Sequence, residues 1–341
     1  MRPFEFFRKE DIAKTILQKN DKAKFIAGGT NLVDLMKKNI EQPDYVIDVN
    51  SVLSSRIEVD KNKLRIGAMS KNSSVAQNLD VLRDYSLISK AILAGASPQI
   101  RNMASCAGNI LQRTRCPYFY DITTPCNKRQ PGSGCSAKEG ENRMNAVIGY
   151  SEDCVAMHPS DFCISLAALD ARIITRNSKN KKEEIEFKNF HRLPGNTPNV
   201  DTHLPQNSII ESIEIPKNPF GKNNAYVKLR DRSSYAFALV SVASALNLED
   251  GKIKDSRLAS GGVAHKPWRW YEAENFLKGK LPTRENFSAA ADLAIKDLKP
   301  LSNNGFKKEM LHGAIITALK NSLKPKKKTN MAFFDNDLNL N

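Results

Sequence analysis

Apolar and polar positions change period several times along this chain, and each change marks an element. Residues 23–39, AKFIAGGTNLVDLMKKN, read as a short apolar strand, a Gly-Gly turn and an amphipathic helix with Leu32, Leu35 and Met36 on one face. PDYVIDV (43–49) supplies a second strand about one βαβ unit later, and NKLRIGAMS (62–70) a third. Residues 74–97 read as helical material ending at Gly95 or Pro98. HPSDFCISLAALDARIIT (158–175) reads as a helix, capped by Ser160 or Asp161, running into a strand. LPQNSIIESIEIP adds a strand stopped by Pro216. From about residue 222 the pattern alternates like antiparallel strands with a hairpin at EDGK, and two helices are expected at 284–298 and 304–323. The boundary between the two halves falls near Pro216 to Asn224.

Composition adds the class. At 341 residues the chain can bury two or three cores. Apolar residues make up 40% and aromatics 7%, and no apolar run approaches the ~18 to 20 residues of a membrane span. The charged first dozen residues do not form a secretory signal. The net charge of +15 comes largely from solvated lysine runs such as KNKKEE and KPKKKTN. Without aromatic and basic residues interleaved, this argues for a basic protein that docks an acidic partner rather than for nucleic-acid binding. The last residues, KPKKKTNMAFFDNDLNLN, read as a tail whose Phe-Phe pair can pin it to a partner.

Two small-residue turns are candidates for anion binding. AGGTNL (27–32) brings a strand to a helix start with no Cβ in the way, so backbone N–H groups can approach a pyrophosphate. It lacks the spacing of a Rossmann dinucleotide site or a P-loop, and a structural turn explains it as well. SCAGNI (105–110) can supply donors from the opposite side. Asp161 either accepts from ribose or ribityl hydroxyls or simply caps its helix.

Six cysteines are too few for a disulfide scaffold. Cys106 and Cys163 sit among small or apolar neighbours and read as core thiols. Cys116, Cys126, Cys135 and Cys154 fall within 39 residues, at gaps of nine, eight and eighteen, in a Pro- and Gly-rich stretch. The gaps do not match the C-x₂-C pairs of zinc ribbons. An iron–sulfur cluster, zinc, disulfides and idle thiols all stay open on spacing alone. Arg113, Arg115, Lys128, Arg129 and Arg143 would offset thiolate charge. His158 can face a flavin or merely start a helix. His265 fits a turn or interface, and Trp268 and Trp270 fit packing of the C-terminal half or a subunit interface.

KFIAGGTNLVDLMK, AGASPQIRNMASCAGNILQRTRCPYFYD, PCNKRQPGSGC, HPSD, LRDRSSYAFALVSVA and GGVAHKPWR together resemble the FAD-binding medium subunit of bacterial periplasmic-type molybdenum aldehyde oxidoreductases, in the xanthine dehydrogenase family. The resemblance runs by motif from Lys24 to Arg269. It implies an α+β chain: a PCMH/VAO-type FAD-binding domain of two α/β subdomains (1–220), with a Cys-rich insert at about 113–156. A small C-terminal domain of antiparallel sheet and helices (221–325), like that of CO dehydrogenase flavoproteins, and a basic tail (326–341) would follow. Carried over by motif, Ile26, Ala27, Gly28, Gly29, Thr30, Asn31, Leu32, Val33 and Asp34 would cradle the FAD diphosphate, opposed by Gly108 and Asn109. Asp161 would bind the sugar-alcohol region, with Ile210, Lys228 and Tyr118 as further flavin contacts. Cys116, Cys126, Cys135 and Cys154 would hold a 4Fe-4S cluster. The expected partners are a large molybdenum-cofactor subunit and a small 2Fe-2S subunit in a heterotrimer, with an external electron acceptor. No catalytic acid, base or nucleophile is expected here. A metal-stapled scaffold or a self-contained flavin oxidase are the competing readings. The sequence does not choose between cytoplasm and periplasm.

Overall fold

The computed structural model describes residues 1–8, 11–17, 20 and 22–323, so the basic tail expected at 326–341 lies outside the described residues. Strands β1 (Glu5–Arg8), β2 (Ala23–Ile26) and β3 (Tyr45–Asp48) form a parallel sheet in the order β1-β3-β2. Helices α1 (Ile12–Leu17) and α2 (Leu32–Lys37) make its crossovers. β1 was not legible because it is a largely exposed edge strand, with charges at both ends.

A second sheet joins β4 (Ile57–Val59), β5 (Lys63–Gly67), β6 (Arg172–Asn177), β7 (Lys182–Glu186) and β8 (Ser208–Pro216) in the antiparallel order β4-β5-β8-β6-β7. β8 is central and buried along nearly its whole length, which explains its run of isoleucines. Between β5 and β6 lie α3 (Asn72–Gln77), α4 (Leu79–Asp84), α5 (Ser86–Ala94), α6 (Pro98–Met103), α7 (Cys106–Ile110), α8 (Pro117–Tyr120) and α9 (Asp161–Ala168), while the single turn α10 (Phe187–Phe190) follows β7. The helical stretch read over 74–97 is thus three helices. It breaks at Asn78, whose Oδ1 accepts from the N–H groups of Asp80 and Val81 to start α4, and again at Tyr85.

The C-terminal sheet orders β9 (Asn224–Leu229), β10 (Val240–Glu249), β11 (Lys252–Gly261) and β12 (Trp268–Arg269) as β12-β11-β10-β9, all antiparallel. The β10–β11 hairpin turns at Asp250 and Gly251, both left-handed at φ 51° and 74°. Helices α11 (Tyr271–Leu277), α12 (Arg284–Ile295) and α13 (Lys307–Ser322) cover the sheet and complete its core, which includes Phe287, Leu311 and Ile315. The two long helices are three and four residues shorter than their expected spans of 284–298 and 304–323.

Helix α9 joins the two halves. All eight of its residues are buried, and it packs against α5 and α7 on one side and β10, β11 and β12 on the other. Ser160, not Asp161, caps it, accepting from the Cys163 N–H at 3.2 Å. No helix among the described residues is long and apolar enough to cross a membrane.

Candidate functional site

The chain leaves β2 through Gly28 and Gly29. A Cβ on Gly28 would lie 1.9 Å from the Met103 carbonyl oxygen, so this turn and the segment before α7 touch backbone to backbone. Gly29 has φ +73°, a left-handed conformation that glycine adopts without strain. Across the contact, Ser105 caps α7 by accepting from the Gly108 N–H at 3.1 Å, and Asn109 Oδ1 accepts from Ser160 Oγ at 2.7 Å. The structure therefore brings 26–34, Gly108, Asn109 and the start of α9 together.

Two donors at this place lack partners among the described residues: Asn31 Nδ2 and Arg115 Nε, both buried. Asn31 Oδ1 accepts from the Arg113 N–H at 3.0 Å, and Arg115 pairs with Asp34 at 3.1 Å and with the Tyr120 hydroxyl. Orphaned donors beside a glycine turn fit an anion such as a diphosphate.

Asp161 and Lys228 form an ion pair at 2.7 Å, with side chains only 7% and 4% exposed. Asp161 also accepts from the Tyr226 hydroxyl at 2.7 Å, and Lys228 donates to the Ala94 carbonyl at 3.1 Å. Burial and the neighbouring Asp161 carboxylate push the Tyr226 hydroxyl well above its ordinary pKa, so it stays a donor. Ile210, expected at the flavin, has its side chain in the core of the five-stranded sheet. Tyr118 lines the thiol pocket instead of the glycine turns, and its hydroxyl accepts from the Glu141 N–H at 2.7 Å.

Cys116, Cys126, Cys135 and Cys154 line one small pocket. None is in a disulfide, and Cys126 and Cys135 face each other across an isolated β-bridge. Burial raises the pKa of the Cys116 thiol, opposed by the Asn145 amide, which donates to its Sγ at 3.7 Å, and by the N–H groups of Phe119 and Tyr118. Burial pushes Cys154 up to about 12, against the pull of Lys128. Such N–H···S contacts and a nearby cation suit thiolates that share a metal group. The pocket abuts α2: Leu35 packs against Phe119 and Cys126. Thiols and glycine turn are thus neighbours.

Lys128, 2% exposed, anchors the pocket's outer wall. It donates to Asp201, to the Pro198 carbonyl at 2.8 Å and to His265 Nε2 at 2.8 Å. Since lysine only donates, His265 Nε2 accepts, and its Nδ1–H donates to the Arg192 carbonyl at 2.9 Å. His265, expected at a turn or interface, is therefore a buried neutral imidazole; burial first, then Lys128, lowers its pKa to about 4. Burial would raise Asp201, but Lys128 and Arg113 outweigh it and hold the carboxyl well below the usual range. Asp201, Tyr226 and Asn145 escaped the sequence reading: each acts on a residue far along the chain, and no local motif marks it.

Two family models match end to end. Residues 3–218 match the FAD binding domain in molybdopterin dehydrogenase, and residues 224–323 match the CO dehydrogenase flavoprotein C-terminal domain. The chain belongs to this family: it is a FAD-binding flavoprotein subunit of the aldehyde oxidoreductase and xanthine dehydrogenase type, an oxidoreductase. It is 47% identical over 310 residues to the aldehyde oxidoreductase FAD-binding subunit PaoB of Escherichia coli, covering 90% of this chain and 94% of that one. It is 26% identical to the glyceraldehyde dehydrogenase medium chain of Sulfolobus acidocaldarius, over 86% of each. A carbon monoxide dehydrogenase structure from Hydrogenophaga pseudoflava shares the fold at a TM-score of 0.73 and 23% identity, covering 94% of this chain and 97% of that one.

Proposed function

We propose that this chain is the electron-transfer subunit of a molybdenum-dependent aldehyde oxidoreductase, carrying FAD and a 4Fe-4S cluster. The observation that carries the cluster is the convergence of Cys116, Cys126, Cys135 and Cys154 on one pocket, unbridged and beside the glycine turn. The similarity to an aldehyde oxidoreductase subunit supports the aldehyde as substrate. We read residues 1–220 as the flavin domain, with the insert at 113–156, and 221–325 as the C-terminal domain.

In this reading the backbone of Ile26 to Asp34, the Asn31 amide and Arg115 hold the diphosphate, with Gly108 and Asn109 opposite. Asp161 keeps acceptor capacity for sugar-alcohol hydroxyls beyond its bonds to Tyr226 and Lys228, since a carboxylate offers about four lone-pair sites. Lys228 then holds that carboxylate in place. Bound FAD supplies the exchange between one-electron and two-electron carriers. The chain's residues position the carriers and exclude water. Oxidation of the aldehyde would occur on a molybdenum-bearing large subunit, with a 2Fe-2S small subunit passing electrons here and an external acceptor removing them.

Anaerobic purification followed by iron, sulfide, zinc and flavin assays tests this. The expected result is about four iron and four sulfide per FAD, with iron and sulfide lost in Cys126→Ala while flavin is retained. Zinc without sulfide would overturn the cluster and leave a metal-stapled loop.

A further inference from the structure

We propose a second metal site, formed by His158, Cys163 and His191, for a thiophilic d¹⁰ ion, with Cu⁺ favoured over Zn²⁺. One donor atom from each residue lies within 4.8 Å of the others, and all three side chains are buried. The imidazole rings stand 4.4 Å apart, tilted by 55°. None of the three is one of the four pocket thiols, and none has a task in the flavin or cluster reading.

The independent observation is a pair of orphaned nitrogens. His158 Nε2 and His191 Nδ1 are buried with no hydrogen-bond partner among the described residues. His191 Nε2 lies 2.9 Å from the Ile110 carbonyl, which can only accept, so Nε2 carries the proton. With its proton on Nε2, the His191 ring leaves Nδ1 as an unpartnered lone-pair nitrogen. An imidazole held by one N–H to a backbone carbonyl, with the other nitrogen free, is how ligating histidines are oriented. The ring is also fixed edge-on against Phe187 and Phe190. The His158 backbone is pinned by its N–H to the Ala264 carbonyl at 3.0 Å, and Cys163 is held in the first turn of α9.

Charge selects the ion. Binding must release the Cys163 thiol proton as the metal–sulfur bond forms. Two neutral imidazoles and one thiolate carry a single negative charge. Cu⁺ makes the buried site neutral, while Zn²⁺ leaves one positive charge in it. Three donors of this softness also suit a low-coordinate monovalent ion. Bond lengths of about 2.0 Å to nitrogen and 2.3 Å to sulfur require only small side-chain adjustments from the present spacing. His191 also lines an open groove of about 620 Å³ with His203 and Leu193, which gives an ion a route from solvent.

The test is an anaerobic titration of the full chain with Cu⁺ buffered by bathocuproine disulfonate, and separately with Zn²⁺ against a competing dye, followed by X-ray absorption on the metal that binds. A Cys126→Ala/Cys135→Ala variant is run alongside so that metal on the pocket thiols is not counted. The expected result is one ion retained by both proteins with two nitrogen and one sulfur neighbour. His158→Phe and Cys163→Ala should each weaken it at least about tenfold, flavin absorbance reporting that they fold. Zn²⁺ retained with the same neighbours would also support the site. No ion in the double variant, or unchanged binding in His158→Phe and Cys163→Ala, would overturn it. Iron and sulfide content reports separately on the pocket cluster.

Discussion

Gly28 illustrates how much one hydrogen atom decides at the turn proposed as the flavin cradle. Its missing Cβ lets the turn after β2 rest on the Met103 carbonyl, 1.9 Å from where that carbon would be. Gly28→Ala must push apart the two loops proposed to grip the diphosphate, so FAD retention should fall by roughly tenfold or more, equivalent to ~1.4 kcal/mol, in a protein that still folds. Flavin per chain after gel filtration measures it. The Asp161–Lys228 pair presents the opposite case, two charges that need each other. Lys228→Met strands a buried carboxylate and should cost about 3–5 kcal/mol. The double variant Asp161→Asn/Lys228→Met should recover part of that loss, as read by denaturant melts. The glycines and Asp161 were legible because each sits in a local motif. The pairing was not, because 67 positions separate its members and β9 meets the start of α9 through the side chains of Tyr226 and Lys228.

Elements were legible where a single period held. β2, α2, β3 and the β10–β11 hairpin follow their patterns because each has one buried face or a turn that only left-handed residues complete. Helices α3 to α5 merged in the reading because apolar spacing runs on across Asn78 and Tyr85, while capping there is a matter of backbone geometry. α13 carries a feature no periodicity displays. Lys307, at its start, is fully buried and donates to the carbonyls of Met144 and Gly262 at 3.1 and 2.7 Å and of Asn145 at 2.8 Å. Lys307→Met would leave these acceptors unpaired at the end of the Cys-rich insert, and should destabilise by about 2–4 kcal/mol; a urea melt checks it. The buried His265 adds a pH dependence. Its folded pKa of about 4 lies below the ordinary 6.5, so the unfolded chain takes up the proton first as pH falls. Its contribution is intact above pH 6.5 and is lost between about 6.5 and 4, at most roughly 3 kcal/mol. Melting temperature should fall across that window, and His265→Gln should flatten the fall.

At the scale of the whole molecule the insert lies between the two halves. Its start is tied to the flavin domain through Arg113, which pairs with Glu41 and Asp201 at 2.9 Å each, and through Thr114 Oγ1 to the Met157 carbonyl at 3.0 Å. Its second half is tied to the C-terminal domain. Val147 and Ile148 donate to the Val263 carbonyl at 2.8 and 3.1 Å, the Lys299 N–H donates to the Val147 carbonyl at 2.7 Å, and Val147 sits in that domain's core. Cys126 and Cys135 lie between these anchors, with Cys116 beside the first and Cys154 beyond the second, and regular structure there is reduced to α8 and isolated bridges. With these anchors and a loosely structured stretch between them, the group proposed for the thiols would order that stretch without being needed to dock the anchors. In Cys135→Ala, hydrogen exchange should rise across 121–137, where few backbone N–H groups are bonded within regular structure, while the amides of Val147 and Ile148 keep their protection. Loss of protection at 147 and 148 equal to that at 121–137 would mean instead that a thiol-bound group holds the two domains together.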